Sequence, residues 1–224
     1  MNYKRITIFA GHYGSGKTNI AINAALEIKK SGKDVCIADL DIVNPYYRTK
    51  DSEDMLEKAG IHLISSPYAN SNVDVPALPD ELYSMIDRRD RYAVLDVGGD
   101  DRGALALGRF SDAIKAENNY EMLCVLNFFR PLTNNASDAL EVMREIEAAC
   151  RVPFTGIVNN SNLGVDTTAE DVKAAMKKAE ELSALSELPI VATCAKASIA
   201  AELSDCGSIM PLTLQDIRLW NTKQ

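Results

Sequence analysis

The chain has 224 residues, a net charge of −8 and a pI near 4.9, with 46% apolar and 25% charged residues. That is the composition of an ordinary globule, long enough for one large domain with a good core. The acidic balance argues against broad, non-specific nucleic-acid binding, and no apolar stretch approaches the ~18 residues that span a bilayer. Cys36, Cys124, Cys150, Cys194 and Cys206 form no C-x-x-C pair. A reducing, cytoplasmic setting without disulfides or an iron–sulfur cluster is therefore expected.

The first apolar run, Ile6-Thr7-Ile8-Phe9-Ala10, reads as a buried strand. It leads into Gly11-His12-Tyr13-Gly14-Ser15-Gly16-Lys17-Thr18, which fits G-x-x-x-x-G-K-[ST] in full. An Ala/Ile/Leu-periodic helix over 19–30 follows. Strand, loop and helix in this order make a phosphate-binding loop. Glycines let backbone N–H groups wrap phosphates, and the helix N-terminus favours the negative charge. Lys17 is then expected on the β/γ-phosphates and the Thr18 hydroxyl on Mg²⁺.

Further runs follow at 34–39, 61–65, 92–97, 122–127, 154–159 and 190–193, separated by helical segments near 79–90, 103–117, 135–150, 168–186 and 197–204. Met55 and Leu56 add a short amphipathic piece. Continuous apolar strands alternating with helices predict an α/β fold. It is a doubly wound, mostly parallel sheet of about seven strands, one domain over 1–224. Loops at 40–52 and 98–103 should leave the same sheet edge as the phosphate loop, where ligands bind in such sheets. Residues 66–80 read as a long loop.

Acids end two of these strands. Asp96 closes an apolar run and is the candidate Walker B-type acid, acting on Mg²⁺ directly or through water. Alternation puts Asp39 and Asp41 on one side of their strand and Leu40 on the other. Asp39 is the better candidate for the metal shell, and Asp41 for orienting an attacking water. Gly98-Gly99-Asp100 reads as a γ-phosphate-sensing turn, with Asp100 or Asp101 also able to cap the next helix. Asn159 and Asn160 end the sixth run and read either as base-recognising amides or as an Asx-rich turn. The N-K-x-D pattern of guanine readers is absent. Arg130, after Phe128-Phe129, reads as a phosphate contact or as one half of a salt bridge.

Four stretches together resemble the MinD/ParA/nitrogenase-iron-protein group of P-loop ATPases, the cobyrinic-acid-synthase-like nucleotide-binding domains. They are Gly11–Thr18, Asp39-Leu40-Asp41-Ile42-Val43-Asn44-Pro45, Asp96-Val97-Gly98-Gly99-Asp100 and Gly156-Ile157-Val158-Asn159-Asn160. The resemblance implies an Mg-dependent ATPase that cycles between ATP and ADP, forms a nucleotide-dependent homodimer and serves a protein partner yet to be identified. Its work would be positioning, maturation or metallocofactor delivery. By position, Asp41 matches the family's water-activating acid, Asp39 and Asp96 its acids near magnesium, and Asn159 or Asn160 its adenine-contacting amide. The chain departs from the family at His12, where the family carries a second lysine. The region after Gly207 shows no clear cationic amphipathic helix, so no membrane anchor is expected, and no extended basic helix suggests DNA binding. Two other uses of such a domain are an ATP-dependent carboxylate-activating ligase of the dethiobiotin-synthetase or cobyrinate-amidase kind, and a nucleotide-gated binding module that barely hydrolyses ATP.

Overall fold

Strand β1 (Ile6–Ala10) and the helix after it, α1 (Lys17–Lys30), set the frame of the fold. The computed structural model describes residues 1–40, 49–65, 80–99 and 101–213. The further strands are β2 (Val35–Leu40), β3 (His62–Ser65), β4 (Tyr92–Val97), β5 (Tyr120–Leu126), β6 (Gly156–Asn159), β7 (Ile190–Lys196) and β8 (Ile209–Leu212). The helices between them are α2 (Glu53–Lys58), α3 (Asp80–Asp87), α4 (Asp101–Gly108), α5 (Ser111–Glu117), α6 (Ala136–Cys150) and α7 (Ala169–Ser186). All eight strands are parallel, in the order β3-β2-β4-β1-β5-β6-β7-β8.

Strand alternation divides the core in two. Ile6, Ile8 and Ala10 pack with Ala38, Leu95, Cys124 and Leu126 under α4, α5 and α6. Phe9 points the other way, with Ile37, Val94 and Val125, against Ile20, Ala21, Ala24 and Ile28 of α1. Both faces of the central strands are covered, which is why their sequences run apolar without a break.

The doubly wound α/β architecture is the one expected, with three differences in detail. An eighth strand, β8, lies beside β7 in what reads as a weakly apolar tail. The helix expected over 103–117 is two helices. Gly108 ends the first where a Cβ would lie 3.1 Å from the Ala149 carbonyl, and Arg151 takes the Gly108 carbonyl at 2.6 Å. The segment expected as a helix over 197–204 is a 3-10 turn, Ala200–Leu203. The short piece carrying Met55 and Leu56 is α2, with Leu56 fully buried.

Candidate functional site

The loop from Gly11 to Thr18 leaves β1 between β4 and β5. The chain passes from β1 to β2 on one side, while β5 to β8 fill the other, so the loop sits at the topological switch point where such sheets bind ligands. Gly14 and Gly16 have φ of +77° and +85°, which only glycine adopts without strain. Gly16 occupies the N-cap of α1, which has no side-chain cap. The longer α6 and α7, by contrast, are capped by Asn135 and by a Thr168–Asp171 capping box. An uncapped helix start leaves N–H groups for an anion.

Within the loop, Ser15 N–H donates to His12 O at 3.3 Å, closing a turn. Lys17 is buried and its Nζ donates to the same His12 carbonyl at 3.2 Å, which holds the ammonium over the loop. The Ser15 hydroxyl is buried with no hydrogen-bond partner among the described residues. A buried hydroxyl left alone costs roughly 1–3 kcal/mol, and a loop that concentrates such donors suits an anion with several acceptor oxygens.

The strand-end acids lie on the α1 side of the sheet. Asp39 and Asp96 are register partners across β2 and β4. Ile37 and Val94, two residues earlier, pack against α1, so alternation brings both acids to the face where α1 begins with Lys17 and Thr18. Asp39 is 7% exposed and Asp96 0%. Two buried carboxylates on neighbouring strands repel each other, and a cation relieves that. Thr18 lies at the start of α1 on the same face, and carboxylates with a hydroxyl are oxygen donors of the kind that would suit a hard divalent cation. The buried Thr49 hydroxyl donates to Asp96 Oδ2 at 2.9 Å. Nothing in the sequence singled Thr49 out; it follows a stretch with no strand or helix pattern of its own. Asp41 and Asp100 lie outside the described residues.

Gly98 and Gly99 continue from β4 directly against the loop. A Cβ on Gly99 would lie 2.7 Å from the His12 carbonyl carbon and 2.9 Å from Gly11 O, and nearer still to Tyr13 N. A Cβ on Gly103 of α4 would lie 2.8 Å from Gly98 N. The start of α4, the Gly-Gly turn and the phosphate loop are thus stacked backbone on backbone.

The two asparagines at the end of β6 part company. Asn159 is fully buried, with Nδ2 on Met176 Sδ at 3.2 Å and Oδ1 accepting from Ser161 N and Oγ at 3.2 and 2.7 Å. Its amide is spent inside the protein, and it does not line the adjoining cavity. Asn160 donates from Nδ2 to Ser15 O at 2.7 Å, gripping the loop from outside. It also lines a cavity of about 120 Å³ with Gly16, Asn19, Asn162, Ala195 and Lys196. Asx turns lie here at the same time: Asn159 Oδ1 accepts from Ser161 N at 3.2 Å, and Asn162 Oδ1 from Gly164 N at 3.1 Å. Lys196 closes one side by donating to the Val165 carbonyl. The end of β7 was not singled out in the sequence; only its place at a strand terminus could have flagged it. Arg130 makes no salt bridge among the described residues; its Nε donates to Gly14 O at 3.1 Å.

No protein-family model matches this sequence. No curated protein matches it either. Solved structures do match its fold. The cell division protein FtsY of Thermotoga maritima is 19% identical with a TM-score of 0.53, over 83% of this chain and 59% of that one. The signal recognition particle 54 kDa protein of Aeropyrum pernix, in complex with GDP, is 16% identical with a TM-score of 0.53, over 84% of this chain and 41% of that one. The signal recognition particle receptor FtsY of Elizabethkingia anophelis, also with GDP, is 16% identical with a TM-score of 0.53, over 85% and 57%. At such identities the likeness is one of fold: the α/β architecture of these P-loop proteins. The chain spans about three fifths or less of each of these three.

Proposed function

We propose that this protein is a magnesium-dependent P-loop nucleotide-binding protein that hydrolyses ATP slowly and acts as a nucleotide-driven switch. The observation that carries this reading is the convergence at one sheet edge of the uncapped, glycine-rich loop, the buried Lys17 and the in-register Asp39–Asp96 pair. In this reading the loop amides and Lys17 bind the β- and γ-phosphates. Thr18, Asp39 and Asp96 would hold magnesium, whose chemistry is to neutralise charge on the phosphate oxygens. Asp41 orients the attacking water, and Gly98 or Gly99 offers a backbone N–H to the γ-phosphate.

Adenine is the preferred base in this proposal. The cavity beside Asn160 carries no carboxylate among its described lining residues. Guanine presents N–H donors that a carboxylate accepts well, whereas adenine's amino group is served by a neutral acceptor. A guanine nucleotide is the second reading, favoured by the GDP bound to the FtsY and signal recognition particle structures.

The switch reading includes a nucleotide-dependent homodimer and a protein partner. Tyr13 on the loop and Phe129 and Leu132 after β5 are apolar side chains exposed beside the site, which supports a face that another molecule covers. Phosphate release from ATP and from GTP with Mg²⁺ tests the proposal, with light scattering in ADP and in a non-hydrolysable ATP analogue. The expected result is slow release from ATP, lost in Asp41→Ala while nucleotide affinity is kept, and a dimer in the analogue alone. Faster release from GTP than from ATP would move the assignment to guanine. Release from neither, with nucleotide bound, would leave a passive binding module.

A further inference from the structure

We infer that Arg130 is a positioning residue of the phosphate loop, clamping the Gly14–Ser15 peptide from outside so that the loop keeps the closed turn in which it binds an anion. The inference rests on the nucleotide-binding reading above. Arg130 Nε donates to Gly14 O at 3.1 Å, and the guanidinium stem packs on Gly14 so closely that a Cβ there would lie 3.2 Å from Nε and 3.5 Å from Cζ. A peptide unit is planar and trans. Fixing the carbonyl of Gly14 on the outside therefore fixes the Ser15 N–H on the opposite side, where it donates to His12 O at 3.3 Å and closes the turn of the loop. Asn160 does the same one residue later, through Ser15 O, for the N–H of Gly16. Two consecutive peptides at the crest of the loop are thus pinned from β5 and β6.

The Arg130 anchor is itself rigid. Its N–H donates to Asn127 O at 3.0 Å, its carbonyl accepts from Thr133 N at 3.1 Å, and Pro131 follows. The Thr133 hydroxyl closes the turn on Asn127 O at 2.8 Å. The donor is a full positive charge, so it also polarises the peptide whose N–H closes the turn on His12 O. Without it, Gly14, free at φ, can rotate that peptide, break the turn on His12 O and open the loop.

The test is ADP affinity, by calorimetry with Mg²⁺, in the wild type, Lys17→Ala, Arg130→Ala and Arg130→Lys, with melting temperature measured alongside. Arg130→Ala should weaken ADP about two- to tenfold, as expected for an exposed charged hydrogen bond, with the melting temperature nearly unchanged. Guanidinium ion, added well below denaturing concentrations, should restore ADP affinity to Arg130→Ala and leave the wild type unaffected. Arg130→Lys should fall between the two. Wild-type affinity in Arg130→Ala overturns the inference, as does a loss that tracks the melting temperature and that guanidinium does not repair. If the wild type itself fails to bind ADP, and Lys17→Ala is indistinguishable from it, the nucleotide-binding reading falls and takes this inference with it.

Discussion

Gly99→Ala places a methyl group between the Gly-Gly turn and the phosphate loop. The new carbon would sit 2.7 Å from the His12 carbonyl carbon and 2.9 Å from Gly11 O. Relaxed carbon–carbon contact is about 3.5–4.0 Å, so the two segments must separate by roughly 1 Å. The crowding atoms are backbone and cannot swing aside. Gly99 does not have a positive φ, so alanine strains nothing but the contact. Overpacking of this kind costs about 1–3 kcal/mol, offset by about 0.4–1 kcal/mol from the stiffer unfolded chain. A net loss of about 1–2 kcal/mol lowers the melting temperature by roughly 2–8 °C in a chain of this size. The larger effect is on function, because a 1 Å misplacement of a binding loop costs about tenfold to a hundredfold. The assay is thermal melting with ADP calorimetry. Gly32→Ala is the control: φ there is +82° with nothing within 4 Å of the added carbon. It should lower stability and leave affinity alone. Unchanged melting and unchanged ADP affinity in Gly99→Ala would refute the stacked arrangement of turn and loop.

Asn160→Ala removes a buried hydrogen bond to the loop and should weaken ADP about tenfold. Asn159→Ala should mainly lower the melting temperature; a change of base preference in that variant would contradict the division of labour seen between the two amides. The buried thiols give a pH signature. Burial pushes Cys36 up to about 11 and raises Cys124 and Cys194 further, and burial beside Glu27 raises Tyr3. Each is held neutral in the folded state. The stabilisation is complete below the ordinary thiol range, and as the pH rises through about 9 to 11 it is lost. The urea midpoint should fall across that window, and the native thiols should react with a disulfide reagent far more slowly at pH 8 than those of unfolded chain. A flat midpoint would contradict it.

What could be read from the sequence follows the physics of its parts. β1, the loop and β4 are legible because a doubly covered parallel strand needs an unbroken apolar run and a phosphate loop needs glycine at fixed spacing. β8 is not legible: Ile209-Met210-Pro211-Leu212 is four residues long and holds a proline that a central strand would reject. The break between α4 and α5 hides in a continuous apolar pattern, because its cause is the Ala149 backbone across the sheet face. Asn159 and Asn160 are alike in sequence, and only the fold turns one inward and the other onto Ser15. Arg130 and Thr49 come to the site from distant stretches, through contacts that no local pattern encodes.

Calorimetric titration of Mg-ADP into the wild type and into Lys17→Ala is the decisive comparison. One ADP per chain is expected in the wild type, with roughly ten- to hundredfold weaker binding in Lys17→Ala, the cost of a lost charge-assisted contact. No binding by the wild type, or equal binding by both, would contradict the nucleotide-binding reading.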